Sequence, residues 1–356
     1  MANSNSVARA SEGRVPGSSA PDPGRLIGAL GGAREILILP HNDPDPDAIA
    51  SALALQHLLA QLGGVESEIV YRGLVGRAEN KALVRYLGQP LRWLQAADLR
   101  SGRPLALVDT QPGTGNNALP PGRTATLVFD HHPRKEGTAG AAFADVRSDL
   151  GATSTMLFQY LRAADLPFPP HLATALFYGI KTDTLGLVRG ARPADVEAYF
   201  ELQQRVDMEA LVEIESAQVP PEYFRRLHAA LHAARLYGNV VVSYVGAMQR
   251  PDLAAEMADL LLRLEGIEWV LCMGAYQDRL QLAMRSRREG GSAGRMVQAV
   301  VAERGTAGGH GMMAAGQIPL EGRDPEEEAA LLARRARVML EVEALGEERL
   351  LVEEDG

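Results

Sequence analysis

The sequence predicts an α/β protein: an N-terminal, mostly parallel sheet flanked by helices, followed by a smaller C-terminal α/β domain. Three observations carry this prediction. Short apolar runs recur without polar alternation, which is the pattern of strands buried on both faces. Helical-period or Gly/Pro-rich stretches separate these runs, as crossover connections require. The pattern weakens between Asp207 and Pro221 and then restarts, so the 356 residues are read as two domains.

Residues 1–23 are rich in Ser, Ala, Gly and Pro and lack the apolar core of an export signal, so a disordered tail is expected. The first domain then runs over 24–206. Glu35 to Pro40 is a buried strand, and His41 to Asp47 a polar turn with two prolines. Ala48 to Gln61 carries Ile49, Leu53, Leu55, Leu58 and Leu59 at helical spacing, and Gly63-Gly64 ends it. Glu68 to Tyr71, Leu105 to Val108 and Ala125 to Phe129 are further strands. Ala152 to Ala164, His171 to Lys181 and Pro193 to Val206 read as helices. Residues 207–221 form the expected linker, and 222–345 the second domain. Its pattern is a helix to Leu236, a strand from Asn239 to Val245 and a helix from Pro251 to Leu264. A hairpin about Gln277-Asp278 joins Trp269–Tyr276 to Arg279–Arg285. A short helix from Gly294 to Glu303, a glycine-rich turn from Gly305 to Gly311, a strand from Ala314 to Leu320 and a charged helix from Asp324 to Ala344 follow. The acidic residues 346–356 read as a frayed tail.

Composition narrows the function. Aromatics make up only 5%, so Ala, Leu, Val and Gly must supply most of the packing. The net charge of -9 argues against a protein that coats long nucleic acid, yet a few local cations or a metal pair can still hold one phosphate. The single cysteine, Cys272, sits in an apolar run with no partner at disulfide or metal spacing, so it is expected to be a small buried hydrophobe. No stretch reaches the ~20 apolar residues of a membrane span. Cytoplasmic location is the expectation.

Acidic and histidine clusters share one placement. His41-Asn42-Asp43-Pro44-Asp45-Pro46-Asp47 follows the first strand, Asp109 follows Leu105 to Val108, and Asp130-His131-His132 follows Ala125 to Phe129. Asp183 closes an apolar helix. In an open parallel sheet, ligands bind outside the carboxyl ends of the strands. Carboxylates gathered there repel and raise one another's pKa, and divalent cations remove that conflict. Carboxylate and imidazole donors without thiolate suit Mn²⁺, Mg²⁺, Fe²⁺ or Zn²⁺. Two such ions about 4 Å apart can clamp both oxygens of an in-line phosphoryl displacement. Each cluster alone reads as a turn or a helix cap; together, at successive strand ends, they read as a site. His57, His171, His228 and His232 lie in helical stretches without ligand partners and are read as structural or surface residues. Gly113-Thr114-Gly115 is too short for a dinucleotide fingerprint, and Arg287-Arg288 is read as a solvated pair.

His41-x-x-x-Asp45-x-Asp47, Val108-Asp109-Thr110, Asp130-His131-His132-Pro133 and Thr182-Asp183-Thr184 resemble, in order, the four motifs of the DHH phosphoesterases. Met284-Arg285-Ser286, Gly308-Gly309-His310 and Ala314-Ala315-Gly316 resemble the associated C-terminal substrate domain. The resemblance covers about residues 34–320. It implies that His41 and Asp45 bind one metal, that Asp47, His131 and Asp183 bind another, and that Asp109 bridges both. It also implies that Asp130 orients His131 and that His132 faces the substrate phosphate or leaving oxygen. Asp43 is out of step and is read as a turn residue. Arg285, Ser286, Gly308, Gly309 and His310 are expected to bind substrate, although Ala307 stands where many relatives carry a first glycine.

The implied activity is hydrolysis of short oligoribonucleotides or 3'-phosphoadenosine 5'-phosphate (pAp) by a water activated between two divalent ions. Mn²⁺ is the first expectation, with Mg²⁺ or Co²⁺ as alternatives. The two-domain layout is similar to the oligoribonuclease and pAp phosphatase branch. A cyclic dinucleotide phosphodiesterase, a pyrophosphatase or polyphosphatase, and a nucleotide-binding protein without turnover are the rivals. A long-DNA exonuclease fits the charge less well. Short RNA or a small nucleotide is the expected partner, with neither long DNA nor membrane, and a homodimer is an allowed assembly.

Overall fold

The computed structural model describes residues 20–288, 292–342 and 349–352. These divide into two compact units. One comprises the chain up to Val75 together with Ala82–Glu215; the other comprises Gly76–Lys81 together with the chain from Ser216 onward. Most of the expected tail, residues 1–19, lies outside the described residues.

In chain order the first 215 residues give α1 (Pro23–Gly28), β1 (Glu35–Pro40), α2 (Pro46–Gly63), β2 (Glu66–Tyr71) and α3 (Ala78–Tyr86). Then come β3 (Leu91–Trp93), α4 (Ala96–Arg100), β4 (Leu105–Val108), β5 (Leu127–Asp130) and β6 (Phe143–Val146). Four helices close the unit: α5 (Thr153–Ala163), α6 (Pro170–Asp183), α7 (Pro193–Gln203) and α8 (Met208–Glu215). The six strands form one sheet in the order β3-β2-β1-β4-β5-β6, and every pairing is parallel. The expected parallel sheet is therefore present. Its order reverses between β1 and β4, and that reversal opens a crevice at the carboxyl edge.

The interiors of core strands β1, β4 and β5 are apolar, Ile36–Leu39, Leu105–Val108 and Leu127–Phe129, because both of their faces are covered. Leu37, Leu39, Leu105, Leu107 and Val128 pack with Ala118 and Ala125 on one face. Helix α2 lies against β1 and β2 and packs in turn on α5 and α6. Gly64 ends α2 in the left-handed conformation, a backbone state that costs glycine little.

Strands β3 and β6 have no counterpart in the sequence reading. They are three- and four-residue edge strands carrying Arg92 and Asp145, too short and too polar to show a period. The expected linker 207–221 is corrected too. It holds α8, whose Ala210, Leu211 and Ile214 are buried, and the contact division assigns α8 to the first unit.

The second unit continues with α9 (Pro221–His232), β7 (Arg235–Tyr237), β8 (Val240–Ala247), α10 (Leu253–Leu261), β9 (Trp269–Tyr276) and β10 (Arg279–Ser286). It ends with α11 (Ala293–Val301), β11 (Thr306–His310), β12 (Met313–Pro319), α12 (Pro325–Met339) and β13 (Arg349–Leu350). A mixed sheet runs β11-β12-β10-β9-β8-β7-β13, parallel only between β8 and β9. Alternate residues separate its two cores. Val242, Leu271 and Leu282 meet Val297 and Leu332, whereas Val241, Val270 and Cys272 meet Met257 and Leu261.

The expected glycine turn at Gly305 to Gly311 is mostly strand β11, and the expected helix to Leu236 stops at His232 so that Arg235–Tyr237 can pair with β8. In the expected acidic tail, Arg349–Leu350 pairs with β7, while 346–348 and 353–356 lie outside the described residues. Among the described residues no helix is long and apolar enough to cross a membrane.

Candidate metal centre

The parallel register sets Pro40 beside Val108, so His41 and Asp109 leave neighbouring strands side by side at the switch point of the sheet. Asp130 ends the next strand, β5. Asp109 turns away from β4 at a φ of 58°, a left-handed value that short polar side chains tolerate better than bulky ones.

His41 Nε2 lies 3.5 Å from Asp109 Oδ2 and 3.6 Å from Asp45 Oδ1. Its other ring nitrogen, Nδ1, is 2.8 Å from the Asn42 carbonyl, which makes Nδ1 the donor and leaves Nε2 for a metal. Asp45 also caps α2, accepting from the Ala48 N–H at 3.0 Å. Asp47 is fully buried. Its two oxygens accept from the Thr153 and Ser154 backbone N–H groups, both at 2.8 Å. Those are unpaired donors at the start of α5, where the helix favours negative charge. Gly179 of α6 permits this packing, since a Cβ there would stand 3.1 Å from the Asp47 Cα.

His131 Nε2 lies 3.2 Å from Asp183 Oδ2 and 3.6 Å from Asp109 Oδ1. It is shut off from solvent and, among the described residues, has no well-aligned hydrogen-bond partner. Two triads thus form within mutual ligand distance, His41–Asp45–Asp109 and Asp47–His131–Asp183, and Asp109 also groups with His131 and His132. All six residues expected as metal ligands are brought together.

The electrostatics follow from this crowding. Burial and the neighbouring Asp183 push the Asp47 carboxyl up to about 7. Burial, then Asp47, pushes Asp109 well above the usual carboxylate range. Burial opposes charge on His41, but Asp45 and Asp109 overcome it and hold the imidazolium to about 10. His131 rises for the same reason, through Asp183 and Asp109. Buried carboxylates that must share protons, and a buried imidazole nitrogen facing carboxylates without a well-aligned hydrogen bond, are what a bound cation would resolve. The donor set, oxygen and imidazole only, suits Mn²⁺ or another borderline divalent ion.

One expected role is corrected. Asp130 does not orient His131; it accepts from His132 Nδ1 at 2.8 Å and from the His132 backbone N–H at 3.2 Å. The chain bends after β5, and the Asp130 carboxylate turns back on the backbone two residues on, as Asp does in an Asx turn, so 130 reaches 132. His131 Nδ1 instead faces the Leu150 carbonyl at 3.4 Å. Gln111, missed in the sequence, holds Asp130. Its amide donates to Asp130 Oδ2 at 2.6 Å and to the Pro133 carbonyl at 3.2 Å. Its oxygen accepts from Lys135 N and Thr138 Oγ1, both at 2.8 Å. Thr153 and Ser154 were also missed, because backbone donors carry no sequence signature. Thr153 Oγ1 further donates to Asp109 Oδ1 at 2.8 Å. Asp43 is a turn residue as read, accepting from the Leu74 N–H at φ 56°.

The residues expected to bind substrate lie in the second unit. Arg285 is buried on β10. Its guanidinium donates to Asp259 at 2.5 Å and to the Met284 and Ala314 carbonyls, so in this arrangement it braces the sheet. Ser286 is buried as well, accepting from the Arg288 N–H. Gly308 and Gly309 lie on exposed β11, and the side chain of His310 is outside the described residues. Gly309 adopts a φ of 148°, and a Cβ there would strike Ala314.

The fold and this site define an α/β domain with a parallel sheet and a carboxylate–histidine cluster at its switch point, a candidate metal centre. Residues 35–180 match the DHH family, N-terminal domain. Over 286 residues the chain is 36% identical to an uncharacterised protein of Methanocaldococcus jannaschii, which covers 80% of this chain and 58% of that one. Over 152 residues it is 26% identical to a probable manganese-dependent inorganic pyrophosphatase of Streptococcus pyogenes, covering 42% of this chain and 49% of the other. The chain thus spans about half the length of the curated relatives it matches. The crystal structure of an exopolyphosphatase-related protein from Bacteroides fragilis shares the fold, with a TM-score of 0.68 at 14% identity over 89% of this chain and 95% of that one.

Proposed function

We propose that the chain is a metal-dependent phosphoester hydrolase whose first substrates are short oligoribonucleotides and pAp. The carrying observation is Asp109, which is buried between two histidines and shared by groups on either side of it. One carboxylate placed to serve two ligand sets is the arrangement a bridged pair of ions needs. His41, Asp45 and Asp109 would hold one ion, and Asp47, His131, Asp183 and Asp109 the other. The pyrophosphatase relative is manganese-dependent by name, which supports Mn²⁺ as the first metal to try. Such ions supply Lewis acidity toward a phosphoryl oxygen and offset the charge that builds on the attacking and departing oxygens.

The protein's own groups do the rest. Thr153 and Ser154 hold the Asp47 carboxylate by their backbone N–H groups, and the Thr153 hydroxyl holds Asp109. Gln111 holds Asp130, and Asp130 holds the Nδ1 of His132, so the other edge of that ring is the one assigned to the departing oxygen. A net charge of -9 favours a short substrate over a long polyanion.

A second reading, hydrolysis of inorganic pyrophosphate, is favoured by the pyrophosphatase relative. The test is product release with Mn²⁺, Mg²⁺ or Co²⁺ from a two- to five-residue RNA, pAp, cyclic di-AMP and pyrophosphate. Turnover of RNA or pAp ahead of the others is expected. Preference for cyclic di-AMP or pyrophosphate would replace the substrate assignment. Saturable nucleotide binding with no product under any metal would replace catalysis by a binding role.

A further inference from the structure

The second unit contains a cleft that neither the metal centre nor the glycine-bearing strand β11 uses. We propose that it is a separate binding site for a nucleoside monophosphate. The cleft has a volume of about 690 Å³ and is flanked by α9 and α12 above the end of β8. That size suits a small nucleotide.

The fold explains why the cleft is open. Strand β7 stops pairing at Arg235 opposite Val242, whereas β8 continues to Ala247. Among the described residues the outer edge of β8 beyond Val242 therefore has no strand beside it, and the two helices flank the gap instead. The helices meet it with alanine, Ala229 and Ala233 from α9 and Ala329, Ala330 and Ala333 from α12. Five small side chains at one place leave space that larger ones would fill.

The lining chemistry selects the ligand. Four arginines, Arg226, Arg235, Arg334 and Arg337, line the cleft with one carboxylate, Glu326, and Arg226 also pairs with Glu222 at 2.7 Å, so positive charge stays in excess in a chain whose net charge is -9. Such local reversal of sign favours an anion, and planar guanidinium groups suit phosphate oxygens. Arg337 is held at the cleft wall, its Cζ 4.6 Å over the Tyr237 ring. Tyr244 supplies aromatic surface at the same cleft, on which a flat base can stack.

This site does not rest on the hydrolase reading, and it can be tested with the metal centre silent. Isothermal titration of the full chain with AMP in excess EDTA should show one AMP per chain. Arg334→Glu and Ala330→Glu each place a carboxylate at an exposed helical position on the cleft wall. Each should weaken AMP binding by about tenfold or more, with the thermal melt unchanged. Inorganic phosphate alone should bind more weakly than AMP. Three results would each overturn the proposal: no AMP binding by the wild type, AMP binding indifferent to both variants, or phosphate binding as tightly as AMP.

Discussion

At the scale of single residues, the metal centre stores its own pH dependence. Burial and Asp183 raise Asp47 from 3.8 to about 7, and Asp45 and Asp109 carry His41, against its burial, from 6.5 to about 10. Both groups therefore hold protons more tightly in the folded chain than in the unfolded one. Each stabilises the metal-free fold fully below its unfolded pKa and loses that contribution as pH rises, Asp47 from about 4 to 7 and His41 from about 6.5 to 10. A cation must displace these protons, so its affinity climbs over the same range. Mn²⁺ should accordingly raise the melting temperature more at about pH 8 than at about pH 6; equal shifts would contradict the assignment. Gln111 allows a sharper residue-level test. All its amide valences are spent on Asp130, Pro133, Lys135 and Thr138. Gln111→Leu leaves Asp130 Oδ2, the Pro133 carbonyl and the Lys135 N–H without their Gln111 partner, and should cost about 2 kcal/mol in urea unfolding of the metal-free protein. It should also slow turnover, because Asp130, the partner of His132, is no longer anchored on its other oxygen.

At the scale of elements, α5 and the β11–β12 hairpin make opposite demands. The start of α5 is part of the metal centre through Thr153 and Ser154. Thr153→Val keeps shape and burial but removes the hydroxyl on Asp109. Losing a hydrogen bond that orients a ligand carboxylate typically weakens metal binding by about tenfold or more, and Mn²⁺ titration of the folded variant should read that change. In the hairpin, Gly309 has a φ of 148° with Ala314 against it, and a Cβ on Gly294 would strike the Gly309 carbonyl. Gly309→Ala should therefore destabilise the second unit by about 2 kcal/mol or more, seen as an earlier melt of that unit, while Mn²⁺ binding persists.

These elements also show what the sequence made legible. His41, Asp109 and Asp130 announce themselves because polar residues follow directly on buried apolar strands, and the switch point does the rest. Edge strands β3 and β6 stayed hidden because three or four mixed residues have no measurable period. The true partner of Asp130 was hidden too, since choosing His132 over His131 depends on side-chain direction and not on spacing. Backbone donors at Thr153 and Ser154, and the Gln111 amide that the chain folds back upon, leave no mark in composition.

At the scale of the whole molecule, an acidic chain gathers carboxylates at one sheet edge in its first unit and arginines in one cleft of its second. The first concentration makes sense only with cations present, and everything proposed about hydrolysis follows from their number and their shared ligand. The most direct measurement is metal stoichiometry with spin coupling. After loading with Mn²⁺ and removal of excess, the wild-type chain should hold two ions whose electron paramagnetic resonance spectrum is that of an exchange-coupled pair. Asp109→Ala, folded to the same circular dichroism, should lose the coupling and at least one ion. Two uncoupled ions in the wild type, or a coupled pair that survives Asp109→Ala, would contradict the account.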